Sequence, residues 1–369
     1  MTIRILTDVF IASFIIQLVY YLMVYTRIIF QQKTPKKKEN FAPLSVIISA
    51  GNEAENLQKF LPLVLNQDYP NFEILVINDN SKDETAKVLS EFKSRYDNLT
   101  VLDAEKNISG SGNKKRALTK AILQAKNDLL VFTDADCYPA STMWLKKIAS
   151  AYSNDTEIVI AYGAYENRKG FLNKMICFET LFNAVQYLSF ADLGFPYMAV
   201  GRNLSYKKSI FLKTNGFESH KNILSGDDDL FINEAADRKN TKIMTDFESK
   251  TISIPKHSFK AYLMQKKRHF SAGLKYRIRN KFIIGTEITT RFFFYLFFLI
   301  LLIDGINTEA VIILFFVRII VSVSVIQLIA MKMKEPIILF FIPIFDILIP
   351  LLNLLSLAGT VFDKKNIWK

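Results

Sequence analysis

The chain has 369 residues, a formal net charge of +12 and 50% hydrophobic residues, 31 of them phenylalanine. That composition excludes a disordered chain, and the length admits two domains or one domain with membrane segments. Two cysteines, Cys137 and Cys177, and three scattered histidines exclude a disulfide framework and a histidine-rich zinc site. The two thiols read as free, in a reducing compartment.

Val9 to Thr26 is uncharged and long enough to span a hydrocarbon core. No Ala-x-Ala pattern comes after it, so it reads as a retained helix and not as a cleaved signal peptide. The next stretch, "RIIFQQKTPKKK", holds Arg27, Lys33, Lys36, Lys37 and Lys38, and the positive-inside bias places the region after this helix in the cytoplasm. These features give an N-terminal transmembrane helix over 1–30 and a basic juxtamembrane linker over 31–41.

Residues 42–165 alternate short β-rich apolar runs with helical patterns. The runs are "LSVIIS" (44–49), "FEILVIN" (72–78), "LTVLD" (99–103) and "LLVFT" (129–133). Between them, Ala54–Leu65, Glu84–Tyr96 and Lys114–Lys126 carry apolar residues at three- and four-residue steps. This alternation predicts an open, mostly parallel α/β sheet with helices on both faces. Ligands bind such sheets beyond the carboxyl ends of the strands. The residues found there are Asn52 and Glu53, then Asp79, Asn80, Ser81 and Asp83, then Asp134 and Asp136. Ser81 or Asp83 also suits a helix cap. Acidic ends on three strands would repel one another unless a cation offset them.

There is no G-x-G-x-x-G after the first strand and no G-x-x-x-x-G-K-[ST] anywhere. "SGSGNKK" (109–115) opens a helix with Lys114 beside it, and reads equally as an anion site or as a solvated turn. Asp134 and Asp136 share one face if the strand persists, and two hard oxygen donors suit Mg²⁺ or Mn²⁺. "SGDDDLF" (225–231) precedes an amphipathic helical pattern. There Asp229 can cap the helix while Asp227 or Asp228 serves as a general base. In "QKKRHF" (265–270), Gln265 and Arg268 share a helix face. The surrounding basic residues equally suit an interfacial segment facing anionic lipid.

Three apolar stretches close the sequence: Ile288–Ile303, Ala310–Met331 and Pro336–Phe362. The acidic loop "DGINTEA" and the basic loop "MKMKEP" fit a cytoplasmic catalytic region. The last stretch holds Pro343 and Pro350 and is either one kinked span or a re-entrant hairpin. Arg291 is placed to snorkel. Arg318 and Asp346 fall mid-stretch, as a structural ion pair or as a contact to a lipid phosphate or glycan.

Together these motifs resemble the membrane-bound family 2 glycosyltransferases, relatives of cellulose and hyaluronan synthases and of bacterial cell-wall and exopolysaccharide enzymes. The resemblance implies a GT-A (nucleotide-diphospho-sugar transferase) Rossmann-like domain over 42–255, an interfacial segment over 256–287 and a transmembrane block over 288–369. One N-terminal and about three C-terminal transmembrane helices are expected. It implies that Asn52, Glu53, Asp79, Lys114 and Asp134 contact the nucleotide-sugar, with Asp136, and Asp134 beside it, at a divalent metal. In "VGRNLSY" (200–206), Arg202 and Asn203 fall near the acceptor site, and Gln265 and Arg268 match the family's Q-x-x-R-W at the acceptor or diphosphate. Aligning "SGDDDLF" with the family's TEDxDL makes Asp227 the base, whereas aligning it as G-D-D makes Asp228 the base. His269 stands where the family has tryptophan, which argues against a processive synthase.

The implied activity is an inverting hexosyltransferase moving sugar from a nucleotide-diphospho-sugar, a UDP-sugar, to a membrane-associated or lipid-linked glycan acceptor. It would work on the cytoplasmic side of a bacterial-type plasma membrane, in cell-envelope or exopolysaccharide synthesis. The alternatives are a processive polysaccharide synthase, a polyprenyl-phosphate sugar transferase and a non-catalytic scaffold. Membrane lipids are expected partners. Nucleic acid is not, because the basic residues are juxtamembrane and form no aromatic–basic strip on the soluble sheet.

Overall fold

The computed structural model describes residues 2–31, 41–104, 113–223, 225–336 and 339–362. The glycines of "SGSGNKK", most of the basic linker and the final "DKKNIWK" lie outside the described residues. Contacts divide the chain into two compact units. One comprises Gln32–Glu166 and Phe190–Lys256, the other Met1–Gln31, Asn167–Ser189 and His257–Lys369. Asn167–Ser189, which falls within the 42–255 segment, thus packs with the apolar helices.

Among the described residues, ten strands form in chain order: β1 (Leu44–Ala50), β2 (Phe72–Asn78), β3 (Leu99–Asp103), β4 (Leu129–Asp134), β5 (Cys137–Pro139), β6 (Ile158–Ala161), β7 (Gly163–Tyr165), β8 (Leu204–Lys207), β9 (Thr241–Met244) and β10 (Thr251–Ser253). Seven build one sheet in the order β3-β2-β1-β4-β8-β6-β9, and three build a second in the order β5-β10-β7. The pairs β1–β2, β1–β4 and β2–β3 are parallel, and β8 runs antiparallel between β4 and β6. Helices Ala54–Leu65, Thr85–Lys93 and Asn113–Gln124 connect the first four strands, close to the bounds expected from periodicity. This is a mixed α/β, Rossmann-like arrangement.

β1 reads as a continuous apolar run because helices cover both of its faces, so it has no face to leave polar. Val46 and Ile48 pack in one cluster with Leu57, Leu61 and Val64 of the first connecting helix, and Trp144 fills the same core. Trp144 is fully buried, and its Nε1–H donates to Asn203 Oδ1 at 3.1 Å. Trp144→Ala should destabilise this unit by about 3–5 kcal/mol. Trp144→Phe should cost about 1–3 kcal/mol by taking the donor away from the buried Asn203 Oδ1. Thermal unfolding of the full chain measures both.

Register sets the site. Ala50 lies opposite Asn78 and Ser49 opposite Asp134, so β1, β2 and β4 end at one edge. The strand order reverses direction at β1, where the chain crosses from the β2 side to the β4 side. In open α/β sheets that reversal opens a crevice.

Among the described residues of the second unit, three helices are long and apolar enough to cross a membrane: Arg4–Phe30, Ile278–Ile303 and Thr308–Lys332. A shorter apolar helix covers Leu339–Leu354. Two of the three expected C-terminal spans therefore have the length. The hairpin alternative falls, because Ile342–Phe362 runs as one helix with Pro350 inside it.

A polar knot lies among these helices. Arg318 pairs with Asp346 and donates to Gln17 Oε1 at 2.9 Å, and Asp346 also accepts from Tyr295. Arg291 does not snorkel: it is buried, with Nη2 2.8 Å from Glu287 Oε2 and Nη1 3.3 Å from Asp346 Oδ1. Gln186 Nε2 donates to Glu287 Oε2 at 3.2 Å and to the Tyr25 hydroxyl at 3.3 Å. Two arginines thus meet two carboxylates, and the expected structural ion pair is one edge of a larger neutral cluster. A second buried pair, Glu179 with Lys266 and Tyr262, joins the Phe171–Asp192 helix to the Phe259–Gly273 helix.

Candidate active site

Asn52, one residue beyond Gly51 at the end of β1, has φ 58°, a left-handed conformation that asparagine tolerates. Its Oδ1 accepts the Lys82 N–H at 2.8 Å and its own N–H donates to Ser81 Oγ at 2.9 Å. It therefore laces together the loops after β1 and β2. The half-buried Glu53 accepts from Asn56 Nδ2 at 2.6 Å. Burial raises its pKa, with Asp136 and Asp134 adding to the rise against that hydrogen bond. The Asp79 N–H donates to Ala50 O at 2.7 Å, which fixes Asp79 at the same edge. Asp83 accepts the Thr85 and Ala54 N–H groups at 3.1 and 3.2 Å, the capping role expected of it.

β4 ends at Asp134, and Ala135 and Asp136 form a turn before β5 begins at Cys137. The strand does not persist through Asp136, so a turn brings the two aspartates together where a shared strand face was expected. The same turn adds Cys137. One donor atom each from Asp134, Asp136 and Cys137 lie within 4.8 Å of one another. A divalent ion with bonds of about 2.1–2.4 Å reaches donors up to roughly 4.8 Å apart. Burial pushes the Asp136 carboxyl up and Asp134 pushes it further. Crowded carboxylates of this kind fit a hard cation that offsets both charges.

Opposite Asp134 stands the acidic loop. Lys114 Nζ lies 2.9 Å from Asp227 Oδ2 and 3.4 Å from Asp134 Oδ1. Burial works against the Lys114 ammonium, but Asp134, Asp227 and Asp228 outweigh it and hold its pKa well above the ordinary lysine value. Burial likewise pushes the Asp227 carboxyl up, and Lys114 overrides it and holds Asp227 below the usual carboxylate range. Burial raises Asp228, and the neighbouring Asp227 adds to the rise. Asp228 caps the Asp229–Ala235 helix, accepting Asp229 N–H at 2.8 Å and Gly201 N–H at 2.6 Å. The cap is Asp228 and not Asp229, because the helix begins at Asp229. Lys114, Thr133, Asp134, Gly201, Asp227 and Asp228 line one small pocket. Thr133 Oγ1 is buried without a hydrogen-bond partner among the described residues.

Sequence reasoning passed over Lys115. Its Nζ donates to His220 O at 2.7 Å and Ile223 O at 2.8 Å, pinning the approach to the acidic loop. Burial brings its pKa down to about 8. No local signal marked it, because both carbonyl partners lie more than a hundred residues away in sequence.

Arg202 donates from Nε and Nη2 to Gly163 O at 3.1 and 2.7 Å, and its guanidinium lies 4.7 Å from the Tyr165 ring centre. A Cβ on Gly163 would stand 2.6 Å from Arg202 Nε, so only glycine admits this arginine. Asn203 is fully buried. It accepts from Trp144 and donates to Tyr162 O and Ser249 O at 2.7 and 2.8 Å. Its amide is committed inside the fold and has no group to offer an acceptor. Gln265 and Arg268 lie on the Phe259–Gly273 helix of the other unit, Gln265 half-buried and Arg268 exposed. The His269 side chain lies outside the described residues.

The profile of the family described as Glycosyl transferase family 2 matches residues 45–211. The probable glycosyltransferase YdaM of Bacillus subtilis is 28% identical over 202 residues, 51% of this chain and 47% of that protein. The beta-monoglucosyldiacylglycerol synthase of Trichormus variabilis is 33% identical over 104 residues, 28% of this chain and 22% of that protein. The chain thus matches less than half the length of these curated relatives. Among solved structures, the mannosyltransferase PcManGT from Pyrobaculum calidifontis in complex with GDP-Man and Mn²⁺ is similar at a TM-score of 0.62 and 16% identity. That match covers 98% of this chain and 100% of the other, and it shows a shared fold. Residues 45–211 are therefore a glycosyl transferase family 2 domain on a GT-A fold.

Proposed function

We propose that the chain is an inverting hexosyltransferase. It moves sugar from a nucleotide-diphospho-sugar, a UDP-sugar in our reading, to a membrane-associated or lipid-linked glycan in cell-envelope or exopolysaccharide synthesis. The supporting observation is the meeting of Asp134, Lys114, Asp227 and Asp228 in one pocket at the carboxyl edge of the sheet. The three apolar helices support a membrane setting, with the catalytic unit on the cytoplasmic side by the basic flank after the first helix.

Asn52, Glu53 and Asp79 would face the nucleoside, and Asp134 the ribose. Asp136 and Asp134 would hold Mg²⁺ or Mn²⁺, which supplies positive charge to a diphosphate as it leaves. Asp227 is the general base in this reading. Asp228 is fixed by two backbone N–H groups, whereas Asp227 is held by a side chain that can move. The donor diphosphate competes for Lys114 and releases Asp227. Asp227 then takes the acceptor hydroxyl proton while the acceptor oxygen attacks the anomeric carbon from the face opposite the diphosphate. The glycosidic bond forms, the bond to the diphosphate breaks, and the configuration inverts. Arg202, Gln265 and Arg268 are the proposed groups for ordering the acceptor or the diphosphate.

The ion pair gives this reading a pH signature. In the donor-free protein Lys114 keeps Asp227 ionised, so kcat/KM falls only as pH drops through its depressed pKa. In Lys114→Met the lowering charge is gone and burial remains, so the acid limb of the rate profile should move to higher pH. A limb that stays put would remove Asp227 from the base role. Asp227→Asn separates the acceptor classes: a sugar hydroxyl needs the base and loses about 10²–10⁴-fold, whereas a phosphate nucleophile keeps near-normal rates.

A further inference from the structure

Lys256 belongs to none of the motifs, yet the second sheet carries it to the crevice. β10 runs antiparallel to β5 with Ser253 opposite Cys137. The pairing continues one residue further, where the Ile254 N–H donates to Asp136 O at 3.1 Å. Two residues of extended chain span at most about 7 Å, so the Lys256 backbone stays beside the turn that carries Asp134 and Asp136. Burial raises the carboxyl pKa of both Asp136 and Glu53, and the Lys256 ammonium acts against that rise at each. Its charge therefore reaches the loop after β1 as well as the turn after β4. Lys114 is committed to Asp227 and Asp134, and Arg202 to Gly163 O. Lys256 is exposed and makes no ion pair or side-chain hydrogen bond among the described residues.

Charge balance says what such a lysine is for. A divalent ion held by two carboxylates is neutral as a unit, so it leaves the charge of a diphosphate uncompensated. Glu53 adds a further negative group nearby, and Lys114 offers its charge only by leaving Asp227. We infer that Lys256 is a diphosphate ligand, its ammonium bonding phosphate oxygens of the donor and of the nucleoside diphosphate that departs. A lysine ammonium is a compact point charge on a flexible stem, which suits a phosphate that shifts as its bond to the sugar breaks. The inference rests on reading Asp134 and Asp136 as a cation site beside a diphosphate, and not on sugar transfer itself.

The test uses the full chain in detergent and two probes, Mn²⁺ alone and inorganic pyrophosphate at saturating Mn²⁺. Lys256→Met should weaken pyrophosphate binding roughly 10-fold by calorimetry, and Lys256→Arg, which keeps the charge, should restore most of it. Mn²⁺ alone, followed by the paramagnetic resonance of the free ion, should bind Lys256→Met as tightly as wild type or more tightly, because a positive neighbour of Asp136 is gone. A merely structural lysine would weaken both probes together. Unchanged pyrophosphate binding in Lys256→Met, or a parallel loss of Mn²⁺ binding, would overturn the inference, as would a wild-type chain that takes up Mn²⁺ and no pyrophosphate. Lysine-dependent pyrophosphate binding in a protein that transfers no sugar would count against the proposed function alone.

Discussion

Asp136→Ala should lose about 10³-fold or more of metal-dependent sugar transfer while the chain folds and inserts normally. A cation at a departing diphosphate contributes several kcal/mol to the transition state, and each 1.36 kcal/mol is tenfold in rate. The side chain sits in the turn between β4 and β5, where burial and Asp134 both oppose its charge. Removing it relieves that opposition, so thermal stability should hold or rise. A stability gain paired with an activity loss separates a functional carboxylate from a structural one. Full activity in the variant, or full wild-type activity in excess chelator, would sink the metal assignment.

The buried charge cluster predicts an opposite pattern. Arg318→Met or Asp346→Leu alone should cost about 3–5 kcal/mol, because each leaves an uncompensated charge among apolar helices. Arg318 is fully buried, and Asp346 also takes bonds from Arg291 and Tyr295, so neither charge can reach water. The double variant should recover most of that loss, since Arg291 and Glu287 remain a balanced pair at 2.8 Å. Thermal unfolding of the four proteins in one lipid preparation completes the cycle. A double variant as unstable as the sum of the singles would mean that the pair is not the unit of stabilisation.

The first four strands and their helices were legible because each obeys a local rule. Strands buried on both faces read as apolar runs, and the helices between them repeat at helical spacing. The placing of Glu53, Asp79 and Asp134 at one edge of the sheet was legible because neighbouring parallel strands end at the same edge. The features that escaped depend on partners distant in sequence. Asn203 looks like a free amide until Trp144, Tyr162 and Ser249 take its bonds. Arg291 looks like a snorkelling residue until Asp346 arrives from 55 positions away. Cys137 joins the acidic pair only through a turn that the motif does not announce. The Phe171–Asp192 helix is apolar on nearly all sides, so no polar stripe marked it as a helix that packs with the apolar ones.

The central claim is inverting transfer of a sugar from a nucleotide-diphospho-sugar, and one measurement addresses it directly. Purified chain in lipid is supplied with Mn²⁺, a panel of nucleotide-diphospho-sugars and candidate lipid-linked acceptors. Released nucleoside diphosphate is quantified, and the anomeric configuration of the product is read by NMR. The account predicts that a donor releases nucleoside diphosphate with acceptor present, and that the new linkage is inverted. A retained configuration, or no release from any donor in the panel, would contradict it.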